Sequence, residues 1–181
     1  MRVRRKLIKA KVDELIASSE INSAPVNVGG IAQDLHLEVI RQDADESVSG
    51  FLLKGIDDGG IIGVNRRHNL SRQRFTIAHE IGHFLLHDYE GVHFDGDSTT
   101  LQVYRRDANS STGLDLNERE ANLFAAELLM PESLLRDEML KIEKLGLLDE
   151  SDETIRKLAT KYRVSSSAMT YRLINLGYIS L

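Results

Sequence analysis

The sequence predicts a mostly helical α+β fold with a small antiparallel three-stranded sheet packed on one central helix. Three observations support this: apolar residues recur at helical spacing over much of the chain, three strand-like runs lie close together before residue 66, and a strong turn signal joins the last two runs. The 181 residues, 41% of them hydrophobic, suffice for one domain or one domain with a small appendage.

The first helix is predicted over about residues 3–17, and a short second helix over residues 28–35. The apolar face of the first helix comprises Leu7, Ile8, Val12, Leu15 and Ile16. This basic N-terminal segment lacks the apolar run of a signal peptide. No stretch approaches the roughly 20 apolar residues that span a membrane. We therefore expect a cytoplasmic protein without a membrane partner.

The strands are predicted at residues 37–41, 50–54 and 60–65, with a hairpin turn at residues 57–60. Because so small a sheet needs a helix against one face, we place the helix of residues 70–87 there. Its predicted buried stripe comprises Phe75, Ala78, Ile81, Leu85 and Leu86.

The second half of the chain begins with a long polar segment, residues 88–117, whose only strand-like piece is residues 101–104. Asn117 is predicted to cap a helix over residues 118–130, and a further helix follows over residues 133–146. The last 30 or so residues read as two short helices, with a turn at residues 163–165.

The composition excludes several classes of site. With no cysteine, the chain has no disulfide, no cysteine-bound zinc, no iron–sulfur cluster and no thiol catalysis, so a metal must bind to His, Asp or Glu. The net charge of −5 does not indicate a protein that binds nucleic acid with its whole surface.

The segment His79-Glu80-Ile81-Gly82-His83 predicts a metal-binding helix. Two histidines four residues apart project from the same helix face, so their imidazoles can bind one ion. Glu80 lies about 100° around the helix, beside the metal, where a carboxylate can take a proton from the attacking water and pass it to the leaving amine. Gly82 would let another backbone or a substrate strand approach closely. The alternative is an amphipathic helix with two surface histidines; we favour the metal site.

A catalytic zinc needs a third protein ligand. The extended motif with a third histidine would place Gly at 86 and His at 89, whereas this chain has Leu86 and Tyr89. The best source is the predicted helix that starts at Glu118. Glu118 could bind the ion, and Asn122, one turn later on the same face, could orient a histidine. Glu120 points away from Glu118, so we favour Glu118 as the ligand, although an acidic residue at a helix start also occurs without a metal.

The sequence does not decide the roles of several other polar residues. His87 lies one turn past His83 and is interpreted as a helix-end cation or a group that supports a ligand, not as a ligand itself. Arg72 and Thr76 share the face of the histidines and would contact substrate or be solvated. The residues that could stabilise an oxyanion, or simply be surface residues, are His68, Tyr89, His93 and Tyr104.

Two blocks of sequence resemble the ImmA/IrrE-type metallopeptidases. The first runs from Arg74 to His87 as RFTIAHEIGHFLLH, and the second from Glu118 to Pro131 as EREANLFAAELLMP. The weaker similarity of the flanks extends over roughly residues 25–178. The resemblance implies a gluzincin-like zinc site with ligands His79, His83 and Glu118 and with Glu80 as the base. It also implies the substrate, a helix-turn-helix repressor of phage, mobile-element or stress genes, whose cleavage releases those genes from repression.

The interpretation divides the chain into a zinc metallopeptidase domain, residues 1–150, and a helix-turn-helix-like appendage packed on it, residues 151–181. This appendage is locally basic, with Arg156, Lys157, Lys161, Arg163 and Arg172. A DNA contact by its serines or by Thr170 is conceivable but not favoured, because its second helix has few side chains that read bases. The oligomeric state is left open.

Alternatives remain in other functional classes. The chain could be a metal-binding regulatory partner, antitoxin-like, that holds a repressor without cutting it, or a DNA-binding regulator. The residue pattern also leaves Mn²⁺ and Fe²⁺ open beside Zn²⁺, because a site of two histidines and a glutamate accepts each of them.

Overall fold

Seven helices and four strands make up the part of the chain that the computed structural model describes, which is residues 2–55, 59–88, 92–96, 111–144 and 152–180. This arrangement confirms the α+β class. In chain order the elements are α1 Arg5–Ser18, α2 Val28–Asp34, β1 Leu37–Gln42, β2 Val48–Lys54, β3 Gly60–Asn65, α3 Leu70–Leu86, β4 Val92–Gly96, α4 Ser111–Leu129, α5 Glu132–Lys144, α6 Asp152–Tyr162 and α7 Ser166–Asn175.

The sheet differs from the prediction in two ways. Its strand order is β1-β3-β2-β4, so the described sheet has four strands and not three. The pair β2–β3 is the expected antiparallel hairpin, but β1 runs parallel to β3, with Leu37 opposite Gly60. The prediction of a purely antiparallel sheet was wrong. In the chain β2 lies between β1 and β3, but in the sheet β1 and β2 lie on opposite sides of β3, so β1 and β3 run in the same direction. The strand-like piece at residues 101–104 lies outside the described residues.

Helix α3 lies against the sheet at very short range. The side chains of Leu52, Ile62 and Val64 are buried on β2 and β3. A Cβ built on Gly50 would lie only 2.5 Å from Cγ2 of Thr76 on α3, so glycine is what lets the helix come this close. The predicted packing of the central helix on the sheet is confirmed, and Thr76 is buried there instead of solvated.

The N-terminal helix docks on the body of the protein through its apolar face. Ile8 and Val12 are buried in the common core, while Leu7, predicted to lie on the same face, is 42% exposed. In the described ranges no helix is both long and apolar enough to cross a membrane.

Helix α4 begins at Ser111, earlier than predicted, so Asn117 lies inside the helix and does not cap it. The residues before position 118 include glycine and aspartate, whose low helix propensity favoured a loop. Packing overrides that preference, since α4 lies along both α3 and α1.

The C-terminal helices α6 and α7 are joined by a short turn and attach to the body through a buried ion pair. Arg172 on α7, only 3% exposed, donates to both carboxylate oxygens of Glu127 on α4 at 2.8 and 2.7 Å, and to the carbonyl oxygen of Met130 at 3.0 Å. Arg172 thus holds α7 against α4, while the division of the chain into two units and the identification of this helix pair as a helix-turn-helix unit stay predictions.

The local basic character of this helix pair is lower than its composition indicates. Besides Arg172, Lys161 pairs with Glu138 at 2.6 Å and Lys157 pairs with Glu153 at 2.7 Å. Paired cations neutralise fewer phosphates, because their charge is already compensated. These contacts weaken the case for a DNA-binding role.

The hydroxyl groups that were considered for DNA contact also have local partners. Ser165 caps α7 by accepting a hydrogen bond from the backbone N–H of Ala168 at 3.1 Å. The hydroxyl of Thr170 donates to the backbone carbonyl of Ser166 at 2.9 Å. Both side chains therefore serve the helix itself.

Replacing Arg172 with methionine should lower the free energy of unfolding by about 3–5 kcal/mol, because the carboxylate of Glu127 is then left largely buried without its partner. Urea denaturation of the variant measures this loss. In the double variant Arg172→Met/Glu127→Leu much of the stability should return, since no uncompensated charge remains. A single variant as stable as wild type would show that the ion pair does not anchor the C-terminal helices.

Candidate metal centre

Helix α3 carries the two histidines of the motif on one buried face. It starts at the N-cap Asn69, whose side chain accepts a hydrogen bond from the backbone N–H of Arg72. His79 is 2% exposed, His83 is fully buried, and their ring centroids lie 4.6 Å apart. Glu80, between them in sequence, is also fully buried. Such burial of titratable side chains on one helix is costly and therefore indicates a function.

Helix α4 brings Glu118 to the two histidines. One carboxylate oxygen of Glu118 lies 3.3 Å from Nε2 of His79, and the other lies 3.2 Å from Nε2 of His83. The two Nε2 atoms are 2.9 Å apart. Of the two glutamates that the sequence left in competition, the structure therefore brings Glu118 and not Glu120 to the histidines.

These spacings fit a single metal ion. Ligand atoms that each lie about 2.0–2.1 Å from one tetrahedral ion are about 3.3–3.4 Å from one another. The two imidazole–carboxylate separations fall close to this value, each to a different oxygen of Glu118, and the 2.9 Å between the two imidazole nitrogens is shorter. Two imidazoles with one carboxylate form a donor set that catalytic zinc uses. The side chain of Glu118 is 37% exposed, so the cluster is accessible from one side. Metal binding by these three residues stays a prediction.

Asn122 lies one helical turn beyond Glu118 and contacts the first histidine, as the sequence led us to expect. Its Oδ1 is 3.1 Å from Nδ1 of His79. Because Oδ1 is an acceptor, this contact places the proton of the imidazole on Nδ1 and leaves the lone pair of Nε2 directed at the cluster. Asn122 thus presents His79 in the tautomer that a metal requires.

His83, the second histidine, is the first of a series of hydrogen-bonded side chains. Nδ1 of His83 is 3.2 Å from Nδ1 of His87, and Nε2 of His87 is 3.2 Å from Oε2 of Glu120. Arg4 donates from its backbone N–H and its guanidinium to Glu120. The hydrogen bonds from Arg4 lower the pKa of the Glu120 carboxyl to about 2, and burial lowers the pKa of His87. His87 thus lies between His83 and Glu120, where the role of a group that supports a ligand, one of the two left open by the sequence, fits its contacts.

Gly82 sets how closely the two ligand-bearing helices approach each other. A Cβ at this position would lie 3.0 Å from Cδ1 of Phe124 and 3.2 Å from Cα of Ala121, both on α4. Only a residue without a side chain fits this contact at its present distance. The expectation that another backbone comes close to Gly82 is confirmed, and that backbone is the helix that carries Glu118.

A groove of about 270 Å³ lies between the first half of α3, the end of α4 and the C-terminal helices. Phe75, one helical turn before His79, lines it, and the centroids of the two rings are 6.2 Å apart. Arg72 lies at its edge and also donates to the hydroxyl of Ser49 at 3.0 Å. The apolar part of the lining comprises Phe75, Leu129, Met130, Val164 and Ala168. Such a groove suits an apolar side chain of a bound peptide.

Of the residues considered for oxyanion stabilisation, His68 lies before α3, whose first residue, Leu70, is already about 13–14 Å along the helix axis from His79. Its Nε2 contacts the backbone carbonyl of Glu46 at 3.1 Å. His68 therefore belongs to the packing around the start of α3. Tyr89, Tyr104 and the side chain of His93 lie outside the described residues.

Two contributors escaped the sequence analysis, namely Arg4 and the groove. Arg4 lies 116 positions from Glu120 along the chain, and no local pattern links residues so far apart. The groove is formed by three separate helical regions, so it exists only after they pack together. The spacing of His83 and His87 was visible, but it could not show which nitrogen faces which partner.

This chain is similar in sequence to several known proteins. The model of a peptidase family, described as the IrrE N-terminal-like domain, matches residues 32–174. The metallopeptidase ImmA of Bacillus subtilis is 27% identical over 173 residues, which is 96% of this chain and 88% of ImmA. The uncharacterized immunity region protein 2 of Bacillus phage phi105 is 30% identical over 126 residues, 70% of each chain.

A solved structure also shares the fold. A transcriptional regulator of Mycobacterium tuberculosis superposes with a TM-score of 0.58 over 92% of this chain, at 14% sequence identity. This chain spans 46% of that regulator's length. At this level of identity the similarity supports the fold alone.

Replacing Gly82 with alanine should destabilise the protein by about 1–3 kcal/mol and weaken metal binding, because the added methyl group pushes α4 and Glu118 away from the histidines. Thermal unfolding and metal titration measure the two effects. The matched control is Gly29→Ala on α2, where a Cβ has its nearest neighbour at 3.7 Å. That change should be neutral or stabilise by up to about 1 kcal/mol, as helix propensity predicts. Equal behaviour of the two variants would contradict the proposed role of Gly82.

Proposed function

The chain belongs to the IrrE N-terminal-like peptidase family, and we propose that it is a zinc-dependent endopeptidase that cleaves a helix-turn-helix transcriptional repressor. The family assignment makes it a metallopeptidase with a metal cofactor. The observation that carries the finer proposal is the convergence of the donor atoms of His79, His83 and Glu118, beside the buried Glu80. In this proposal those three residues are the metal ligands.

The donor set supports zinc as the metal. Two imidazole nitrogens and one carboxylate oxygen are the ligands of catalytic zinc sites that keep a position open for water or substrate. Mn²⁺ and Fe²⁺ accept the same donors, so metal analysis of the purified protein decides among the three. When bound, zinc supplies a Lewis acid that polarises the scissile carbonyl and lowers the pKa of water.

The side chains of the protein supply the proton transfers and the positioning. We assign Glu80 as the general base that takes the proton from the attacking water and returns it to the leaving amine. Its complete burial strengthens its electrostatic interactions with groups nearby. Asn122 holds His79 in the tautomer whose Nε2 faces the cluster. The half-exposed carboxylate of Glu118 lies on the accessible side.

The substrate class is supported by the resemblance of the sequence. The ImmA/IrrE-type sequence blocks imply a repressor substrate, and one relative is named as an immunity region protein of a phage. A repressor substrate places the activity in the cytoplasm. The groove, which Phe75 lines one helical turn before His79, offers an apolar site for one side chain of the bound peptide. In this proposal residues 1–150 carry the catalytic centre, and the appendage of residues 151–181 helps to form the substrate groove.

Replacing Glu80 with glutamine should leave the fold and metal binding intact and lower the cleavage rate by about 10²–10⁴-fold, because the amide cannot accept the proton. The substrate for this test is a helix-turn-helix repressor encoded beside the gene of the protein, where the resemblance to the ImmA/IrrE-type metallopeptidases implies that it lies. Mass spectrometry of the fragments, with and without a chelator, measures cleavage and identifies the scissile bond.

The same experiment separates the alternatives. Cleavage by Glu80→Gln at the wild-type rate would reject Glu80 as the base. An intact repressor in a stable, zinc-dependent complex with the wild-type protein would support a regulatory partner that does not cut. Salt-sensitive binding of the protein to operator DNA would support a DNA-binding regulator.

Replacing Ala168 with phenylalanine should raise the KM for the repressor or slow its cleavage by about 10-fold or more, because the ring fills the groove that receives the side chain of the peptide. Zinc affinity should not change, since the cluster is untouched. Ser167→Phe, which places the same ring at an exposed neighbouring position on α7, is the matched control. Unchanged kinetics in the Ala168 variant would mean that the groove does not bind substrate.

A further inference from the structure

Four side chains form a continuous path from the start of α1 to the proposed metal ligand His83. Glu120 and His87 form the middle of this path and are 0% and 7% exposed. The path begins at Arg4, the residue that precedes the first turn of α1, and its contacts span 116 positions of sequence. We define the set Arg4, Glu120, His87 and His83 as the N-terminal relay.

Arg4 fixes the Glu120 carboxylate from several directions. Its backbone N–H donates to Oε1 at 2.8 Å, and Nε of its guanidinium donates to both carboxylate oxygens at 3.0 Å. A further guanidinium N–H donates to the backbone carbonyl of Leu86, at the end of α3, at 3.0 Å. Because one residue contacts both ligand-bearing helices, the carboxylate has a defined position relative to α3.

The hydrogen bonds of the relay have only one consistent direction. If Nε2 of His83 presents a lone pair to the cluster, its proton lies on Nδ1 and is donated to Nδ1 of His87. Nδ1 of His87 then accepts, so its own proton lies on Nε2 and is donated to Oε2 of Glu120. An ionised carboxylate has no proton to donate and can only accept, so the series of hydrogen bonds can end at Glu120. Every step selects the tautomer of His83 that binds metal.

We propose that Arg4, Glu120 and His87 are positioning residues that set the tautomer and orientation of His83, so that the start of the N-terminal helix controls metal affinity. The inference rests on the proposed metal site. It differs from a purely structural role, because a group that supports a ligand through its second nitrogen changes metal affinity typically by 10–100-fold. Asn122 is the corresponding single partner of His79.

The test uses the full chain and measures zinc affinity by competition with a chelator, together with the visible absorption spectrum of the Co²⁺-loaded protein. His87→Phe keeps an aromatic ring but removes both nitrogens, and Glu120→Gln keeps the shape but removes the charge. Each should weaken zinc binding by about 10–100-fold and change the Co²⁺ spectrum. The double variant should bind zinc no more weakly than the more impaired of the two single variants, because both changes break the same series of hydrogen bonds.

Two controls separate positioning from general stability. Arg172→Met destabilises the fold away from the cluster and should leave zinc affinity unchanged. Asn122→Ala acts on the other histidine, so its loss should add to that of His87→Phe. Arg4→Met removes the guanidinium from a half-exposed position at the chain start and should weaken zinc binding in the same direction, which gives a second variant if a buried substitution fails to fold.

The outcomes are distinguishable. Wild-type zinc affinity and an unchanged Co²⁺ spectrum in folded His87→Phe, or in Arg4→Met, would overturn the relay while leaving the proposed metal site intact. A wild-type chain that binds neither ion would overturn the metal site, and the relay with it. A 10-fold or larger loss in the relay variants, absent in Arg172→Met, would support the inference.

Discussion

The close packing of α3 on α4 is the constraint on which the rest of the site depends. One helix carries the two histidines and the other carries Glu118, so neither helix holds a complete donor set alone. Gly82 lets the backbones approach until a Cβ would contact Ala121 and Phe124. Because the interior is packed without slack, this distance sets the 3.2 and 3.3 Å separations between imidazoles and carboxylate. The small sheet matters chiefly as the support under α3, through the same kind of glycine contact at Gly50.

The polar side chains of the site are buried as a result of this packing, and buried polar groups need hydrogen-bond partners. Two imidazoles and Glu80 lie out of water on α3, and such groups are tolerated only where partners are arranged for them. Asn122 serves His79, and His87 with Glu120 serves His83. The N-terminal helix thus does more than cover apolar surface, because Arg4 at its start completes the last of these contacts. The C-terminal helices contribute one wall of the groove and are held by the buried Arg172.

Much of the fold could be predicted because helical periodicity is a local property. The bounds of α1, α2, α3, α5 and the final helix pair differ by a few residues from those expected. The errors arose where distant contacts override local preference. The parallel pairing of β1 with β3 leaves no mark in either strand. Helix α4 extends back through a glycine and an aspartate because its packing on α3 and α1 compensates for their low propensity.

The sequence by itself determined the metal-binding pattern, because His79, Glu80 and His83 are neighbours on one helix and their relative positions follow from its 3.6-residue period. It also narrowed the third donor to two glutamates on one helix. The sequence favoured Glu118, but only the packing of α4 on α3 decided which side chains each glutamate meets: Glu118 faces the imidazoles, and Glu120 faces His87 and Arg4. Residues 116 positions apart are joined by packing alone, and no spacing rule in the chain encodes that contact.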